Sequence, residues 1–74
     1  MKHYENAINS GVKMYEETAD GIILQFEAGE KYLYNFIRPG EAHVKEMITL
    51  ARKGVGLATY VNQHVRDNFY SKLK

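Results

Sequence analysis

Two short turns that end in glycine divide residues 11–37 into three segments with the pattern of strands. The first segment is GVKMYEE, the second, GIILQFE, follows the turn TADG, and the third, KYLYNFI, follows the turn EAG. Apolar segments separated by glycine-marked turns this short are typical of an antiparallel meander. The sequence therefore predicts three consecutive antiparallel strands.

The turns also predict which residues pair across the strands. Each turn fits a type I turn followed by a glycine in the left-handed region, Gly21 in the first turn and Gly29 in the second. This geometry places Leu24 opposite Tyr32, and Glu16 opposite Leu24. A two-residue second loop would shift both tyrosines by one position and mix apolar with polar residues, so we prefer the first register.

This register predicts one apolar and one more polar sheet face. The apolar face carries Val12, Met14, Ile22, Leu24, Phe26, Tyr32, Tyr34 and Phe36. The second face carries Lys13, Tyr15, Glu17, Ile23, Gln25, Lys31, Leu33, Asn35 and Ile37. The aromatic row at 32, 34 and 36 could stack bases of a nucleic acid or form part of the core. A domain of 74 residues has few large apolar side chains for its core, so we expect the row to be packed inside.

After residues 38–40 the apolar spacing becomes helical. One stripe consists of Val44, Met47, Ile48 and Ala51, with Pro39 before it and Gly54 as its stop signal. A second stripe at spacing four consists of Leu57, Val61, Val65 and Phe69, with Thr59 as a candidate N-cap. The predicted fold is α+β, a three-stranded antiparallel β-meander covered on one face by two C-terminal helices.

We assign this domain to residues 10–74 as a single unit. Residues 1–9 are expected either to be disordered or to pack on the sheet. In the second case, Tyr4 and Ile8 would cover its second face.

Several of these residues also resemble a known family. They are Ser10 ahead of Val12, Lys13, Met14 and Tyr15; the central Tyr32, Leu33 and Tyr34; and the run Tyr60, Val61, Asn62, Gln63, His64, Val65, Arg66 and Asp67 with Tyr70 close behind. In this order they resemble the KTSC domain, which occurs at the C-terminus of some lysyl-tRNA synthetases and as small stand-alone bacterial proteins. The resemblance departs at residues 52–54, which read Arg-Lys-Gly where the family tends to show Ser-Lys-Gly. The synthetase context implies RNA binding, and the motif tyrosines Tyr32 and Tyr34 are expected to be structural.

Several classes of function are disfavoured by residues that the chain lacks. Without cysteine there can be no disulfide, thiolate metal site or cysteine nucleophile, and a reducing cytoplasm is the expected location. The first ten residues lack the apolar core of a signal peptide, and no stretch approaches the length of a membrane span. We therefore expect no membrane association.

Catalytic and metal-binding residues are also hard to identify. His64 and Asp67 are three residues apart on a predicted helix, but no nucleophile is placed beside them. His3, His43 and His64 are far apart in the sequence and belong to no dense ligand cluster. We expect no enzymatic activity, no cofactor and no metal.

The uneven distribution of charge suggests a binding function. Residues 1–30 contain two lysines and six acidic residues, whereas residues 31–74 contain eight Lys or Arg and three acidic residues. The two halves could attract each other on folding, or the basic half could bind an anionic partner. For RNA or another nucleic acid, we predict a site on the outer face of the second helix and nearby residues: Lys53, Asn62, His64, Arg66 and Tyr70.

A protein partner or a homodimer is the alternative. The second face of the predicted sheet retains more apolar area than is usual for a surface. The residues that would form this contact are Tyr15, Ile23, Leu33 and Ile37.

Overall fold

The computed structural model describes residues 2–4 and 11–73, and these form a two-layer α+β domain. Within the described residues, five strands form one antiparallel sheet in the order of the chain. They are β1 Lys2–His3, β2 Val12–Thr18, β3 Gly21–Phe26, β4 Lys31–Asn35 and β5 Ser71–Leu73. Between β4 and β5 lie α1 Glu41–Lys53, α2 Leu57–Tyr60 and a π-helical turn, Val61–Val65. The α+β class is confirmed, and so is the central meander.

The prediction of three strands was incomplete at both edges of the sheet. Strand β1 pairs with β2, and β5 pairs with β4, where Leu33 is opposite Ser71 and Tyr32 is opposite Lys72. Strands of two and three residues are too short to show a period of two in the sequence. The pairing of β5 also joins segments far apart in the chain, since Leu33 is opposite Ser71.

The predicted register at the second turn is confirmed. Leu24 pairs with Tyr32, and the backbone N–H of Gly29 donates to the carbonyl of Phe26 at 2.8 Å. Gly29 has a φ of 94°, in the region that favours glycine. The turn residues, together with the separation of apolar from polar positions, therefore predicted how β3 and β4 align.

The predicted register at the first turn is wrong by one residue. Thr18 pairs directly with Gly21, so the loop contains only residues 19 and 20, and Leu24 pairs with Tyr15 instead of Glu16. Gly21 is not in the left-handed region. Its need for glycine is steric, because a Cβ there would overlap the carbonyl oxygen of Tyr34.

The shifted register moves three side chains to the opposite face of the sheet: Met14, Tyr15 and Glu17, which was predicted on the second face but pairs with the core residue Ile22. Tyr15, predicted on the second face, is 7% exposed and lies in the core, whereas Met14 moves to the face away from the helices. A β-bulge between Val12 and Met14 keeps Val12 on the core side. The sequence pattern could not show this, because a bulge breaks the alternation on which the faces were assigned.

Helix α1 matches its prediction. Its buried residues are Val44, Met47 and Ala51, and Gly54 ends it in a left-handed conformation. The N–H of Gly54 donates to the carbonyls of Leu50 at 3.0 Å and of Ala51 at 3.2 Å, which caps the C-terminus.

The second helix is shorter than predicted. The π-helical turn ends at Val65, so Phe69 lies beyond the helix, and its ring packs 4.7 Å from that of Tyr32. Thr59 is not the N-cap, because the helix begins after Gly56. Apolar residues spaced four apart move gradually around an α-helix, because the helix has 3.6 residues per turn. The wider π-helical turn offsets part of this shift.

The hydrophobic core lies between the sheet and the helices. Its members are Tyr4, Val12, Tyr15, Ile22, Leu24, Tyr34, Val44, Met47, Ala51, Leu57, Val61 and Val65. Tyr4 belongs to this core, so the prediction that it covers the second face is wrong. Ile8 and Ser10 lie outside the described residues.

The aromatic row of the third strand divides among three environments. Tyr34 is buried as predicted, Tyr32 is half-buried, and Phe36 is 41% exposed, which contradicts its assignment to the core. The strand ends at the buried Asn35, and the side-chain oxygen of Asn35 accepts the N–H of Ile37 at 3.0 Å. This turn carries Phe36 away from the sheet.

Candidate functional site

A cleft of about 350 Å³ lies between the central strands and the chain segment that follows α2. Its volume is within the range of small-molecule sites, roughly 300–1,000 Å³. The residues that line it are Phe26, Glu30, Tyr32, Tyr34, Val61, Asn62, Arg66, Asp67 and Phe69. The cleft therefore combines aromatic rings with polar side chains.

Aromatic rings from three parts of the chain form the floor of this cleft. Tyr32 packs against Phe26 in an edge-on arrangement with ring centroids 5.4 Å apart, and against Phe69 at 4.7 Å. Phe69 also approaches the edge of Tyr34, at 6.3 Å. The confirmed register between β3 and β4 brings Phe26 and Tyr32 together, and the early end of the second helix allows Phe69 to reach them.

The hydroxyl of Tyr34 faces the cleft. Tyr34 is 1% exposed, and its hydroxyl makes no hydrogen bond with any described residue. Among the described residues, no fully buried side-chain oxygen lacks a hydrogen-bond partner, so this hydroxyl must reach the cleft. Burial, with smaller contributions from Tyr32 and Asp67, raises the pKa of Tyr34 above its ordinary range. The hydroxyl is therefore protonated and can donate a hydrogen bond.

One wall of the cleft is neutralised by an ion pair. Glu30 lies 3.1 Å from the ammonium group of Lys72 and accepts a hydrogen bond from the hydroxyl of Tyr32 at 3.2 Å. Lys72, followed by Tyr32, lowers the pKa of Glu30. The same ammonium group lies 5.7 Å from the centre of the Tyr32 ring. Glu30 is thus occupied by protein partners.

The opposite wall carries polar groups that the described part of the protein does not use. Asn62, Arg66 and Asp67 are exposed and line the cleft, and their side chains make no hydrogen bond or ion pair with a described residue. They present an amide, a guanidinium and a carboxylate. These groups are available to a ligand.

Of the five residues predicted to bind nucleic acid, the structure brings two into this cleft, Asn62 and Arg66. Lys53 adjoins Arg52, which forms two hydrogen bonds with Glu17 on β2, at 2.5 and 2.9 Å. Lys53 is not among the lining residues.

Tyr70 also lies apart from Asn62 and Arg66. It is exposed just before β5, and its N–H donates to the carbonyl of Leu33 at 2.8 Å. The second helix therefore does not carry Tyr70 on its outer face, because the π-helical turn ends at Val65.

His64 belongs to a separate cluster of rings. Its ring centroid lies 4.5 Å from that of Tyr60 and 6.2 Å from that of His43, and the hydroxyl of Tyr60 is 2.7 Å from Nδ1 of His43. Burial, and then Glu46, raises the pKa of Tyr60. His64 makes no hydrogen bond with Asp67, its predicted neighbour on the helix. Within residues 2–4 and 11–73, no cluster of three or more His, Cys, Asp or Glu could hold a metal ion.

The residues predicted for protein interaction are also divided. Ile23 and Leu33 pair across β3 and β4 on the face away from the helices. Tyr15 is in the core, and Ile37 is 75% exposed in the turn after β4. The predicted patch is reduced to one cross-strand pair on the sheet.

Five of the lining residues were not predicted as site residues. Phe69 and Val61 were assigned to a helical stripe, Asp67 was paired with His64, and Phe26 and Glu30 were given no role in a site. Tyr32 and Tyr34 were assigned a structural role only. Two tyrosines on alternate positions of a central strand were the available signal. Nothing in the sequence indicated that Asp67 and Tyr34 meet across a cleft.

Comparisons with known proteins leave the chain without an assigned relative. No protein-family model, curated protein sequence or solved structure matches it. In the described part of the chain, no helix combines the length and apolar character needed to cross a membrane.

Proposed function

We propose that this protein is a non-enzymatic module that binds single-stranded nucleic acid and takes one unpaired base into the cleft. The observation that carries the proposal is the position of Asn62 and Arg66 above an aromatic floor formed by Tyr32 and Phe69. Proteins that bind single strands combine rings that stack on bases with cations that contact phosphates.

Each group has a distinct part in this proposal. The half-buried rings of Tyr32 and Phe69 offer apolar surface to the face of a base, and the amide of Asn62 can both donate to and accept from its edge. Arg66 lies at the rim, where it can contact the adjacent phosphate. The guanidinium of Arg66 forms no ion pair with a described residue, so phosphate binding does not require an existing ion pair to break.

The resemblance to the KTSC domain, which no family-model match accompanies, motivates the choice of ligand. Its motif tyrosines correspond here to Tyr32 and Tyr34, both of which line the cleft. The occurrence of that domain in lysyl-tRNA synthetases makes RNA the first ligand to test.

A fluorescence anisotropy titration of a labelled single-stranded RNA tests the proposal. Arg66→Gln should weaken binding several-fold, and raising the salt concentration should weaken the wild type more than the variant. Arg52→Gln provides the matched control, because Arg52 lies against Glu17 and does not line the cleft. Absence of binding at low ionic strength, or equal effects of the two substitutions, would refute the proposal.

Self-association through the open sheet face is a second candidate, supported by the apolar pair of Ile23 and Leu33. Sedimentation velocity of the wild type and of Leu33→Glu tests it. A concentration-dependent dimer that the substitution abolishes would support this function. A monomer at all concentrations would exclude it.

A further inference from the structure

Two polar groups in the cleft lack protein partners and have complementary hydrogen-bonding roles. The hydroxyl of Tyr34 is a donor at the floor, and the carboxylate of Asp67 is an acceptor that lines the same space. The charge of Asp67 contributes to the raised pKa of Tyr34, which is consistent with their proximity. A buried hydroxyl that faces an open cleft is a position where a ligand can gain a hydrogen bond without displacing a protein partner.

Among the four RNA bases, guanine matches this pair of groups best. Its Watson–Crick edge presents the O6 acceptor followed by two donors, N1–H and N2–H₂. A hydroxyl can donate to O6, and the two oxygens of one carboxylate can accept from both donors. Adenine, cytosine and uracil each place at least one lone pair where guanine places these two donors, and a carboxylate repels a lone pair.

We propose that the cleft selects guanine, with the carboxylate of Asp67 accepting from N1–H and N2–H₂ and the hydroxyl of Tyr34 donating to O6. This inference rests on the proposed nucleic-acid function and adds base specificity to it. Tyr32 and Phe69 contact the face of the base, and Asp67 and Tyr34 read its edge. Arg66, the neighbour of Asp67 in the chain, remains available to the phosphate.

The second carboxylate of the cleft serves as an internal control. Glu30 lines the same space, but its oxygens are engaged by Lys72 and by the hydroxyl of Tyr32. A general effect of negative charge on RNA binding would be seen at both acidic residues. Recognition of guanine would depend on Asp67 and not on Glu30.

The test uses four labelled RNA heptamers of uridine that differ only in the central base, with anisotropy as the measurement. The wild type should bind the guanosine oligonucleotide roughly tenfold more tightly than the other three, as expected for a bidentate contact. An oligonucleotide with inosine at the centre, which lacks the N2 amino group, should bind several-fold more weakly than the guanosine oligonucleotide. Asp67→Asn should abolish the preference, whereas Glu30→Gln should preserve it.

Tyr34→Phe separates recognition from folding. It removes a hydroxyl that has no described protein partner, so we expect an unchanged thermal transition and a several-fold loss of affinity for the guanosine oligonucleotide alone. Equal binding of all four oligonucleotides that still requires Arg66 would overturn guanine selection and leave the proposed function standing. Binding of none of them would overturn both.

Discussion

The hydroxyl of Tyr4 accepts a hydrogen bond from the backbone N–H of Leu57 at 2.9 Å, so the residue that follows the first strand caps the start of the second helix. These residues are 53 positions apart in the chain. The first N–H groups of a helix have no partner within the helix, and Gly56 at the N-cap has no side chain to supply one. Tyr4 therefore provides from a distance what a capping residue usually provides locally.

Tyr4→Phe should lower the free energy of unfolding by about 1–3 kcal/mol, because it leaves a buried N–H without its acceptor. Tyr34→Phe is the matched control. Both tyrosines are 1% exposed, but the hydroxyl of Tyr34 has no hydrogen bond within the described protein. Urea denaturation should show a change within about 0.5 kcal/mol for the control. Equal losses in the two variants would show that the bond to Leu57 contributes nothing specific.

Gly21→Ala should destabilise the protein by about 3 kcal/mol or more, because the added Cβ would overlap the carbonyl oxygen of Tyr34 and lie 2.9 Å from Cα of Asn35. Gly29→Ala should lower the free energy of unfolding by only about 1 kcal/mol. Its φ of 94° strains alanine, but no atom lies within 4 Å of the added Cβ. Thermal unfolding of the two variants tests the difference. A larger loss in Gly29→Ala would contradict the packing between β3 and β4.

Asn35→Ala should lower the free energy of unfolding by about 1–3 kcal/mol. The buried side-chain oxygen of Asn35 accepts the N–H groups of Ile37 and Arg38, both at 3.0 Å, and the substitution removes both bonds. Asn68→Ala offers a comparison at an exposed position, where the amide accepts one bond from Nε of Arg38 at 2.7 Å. Chemical denaturation should show a clearly smaller effect for Asn68. Two equal effects would contradict the turn-forming role of Asn35.

Glu17→Gln should reduce stability slightly at pH 7, and the difference from wild type should vanish in acid. The hydrogen bonds from Arg52 lower the pKa of Glu17 in the folded state. Because the pKa of Glu17 is lower in the folded than in the unfolded state, where it is about 4.3, the ionised carboxylate stabilises the folded protein at pH values above the unfolded-state pKa. This stabilisation is lost as the pH falls through the folded-state pKa.

Thermal unfolding between pH 7 and pH 3 measures this difference for Glu17→Gln. Glu27→Gln, at an exposed carboxylate that forms no described ion pair, should differ little from wild type over the same range. A difference for Glu17→Gln that grows below pH 4 would contradict the assigned ion pair.

Local turn and helix signals predicted the parts of the fold that local geometry controls. The left-handed Gly29 and the separation of apolar from polar positions predicted the alignment of β3 with β4, and Gly54 ended α1 where expected. The first turn was misassigned because TADG fits two loop lengths. The choice between them depends on the contact of Gly21 with the backbone of Tyr34, which no local pattern records.

The sequence by itself determined the fold class, the central meander, the first helix and the burial of Tyr34, because these depend on alternation, helical spacing and glycine conformations within short segments. Only the tertiary structure decided that β1 and β5 complete the sheet and that Tyr4 caps α2. It also decided that Asp67, Arg66 and Phe69 gather around Tyr34. Each of these depends on contacts between segments far apart in the chain. Because the helix ends at Val65, Phe69 can pack against Tyr32 on the sheet and form part of the cleft.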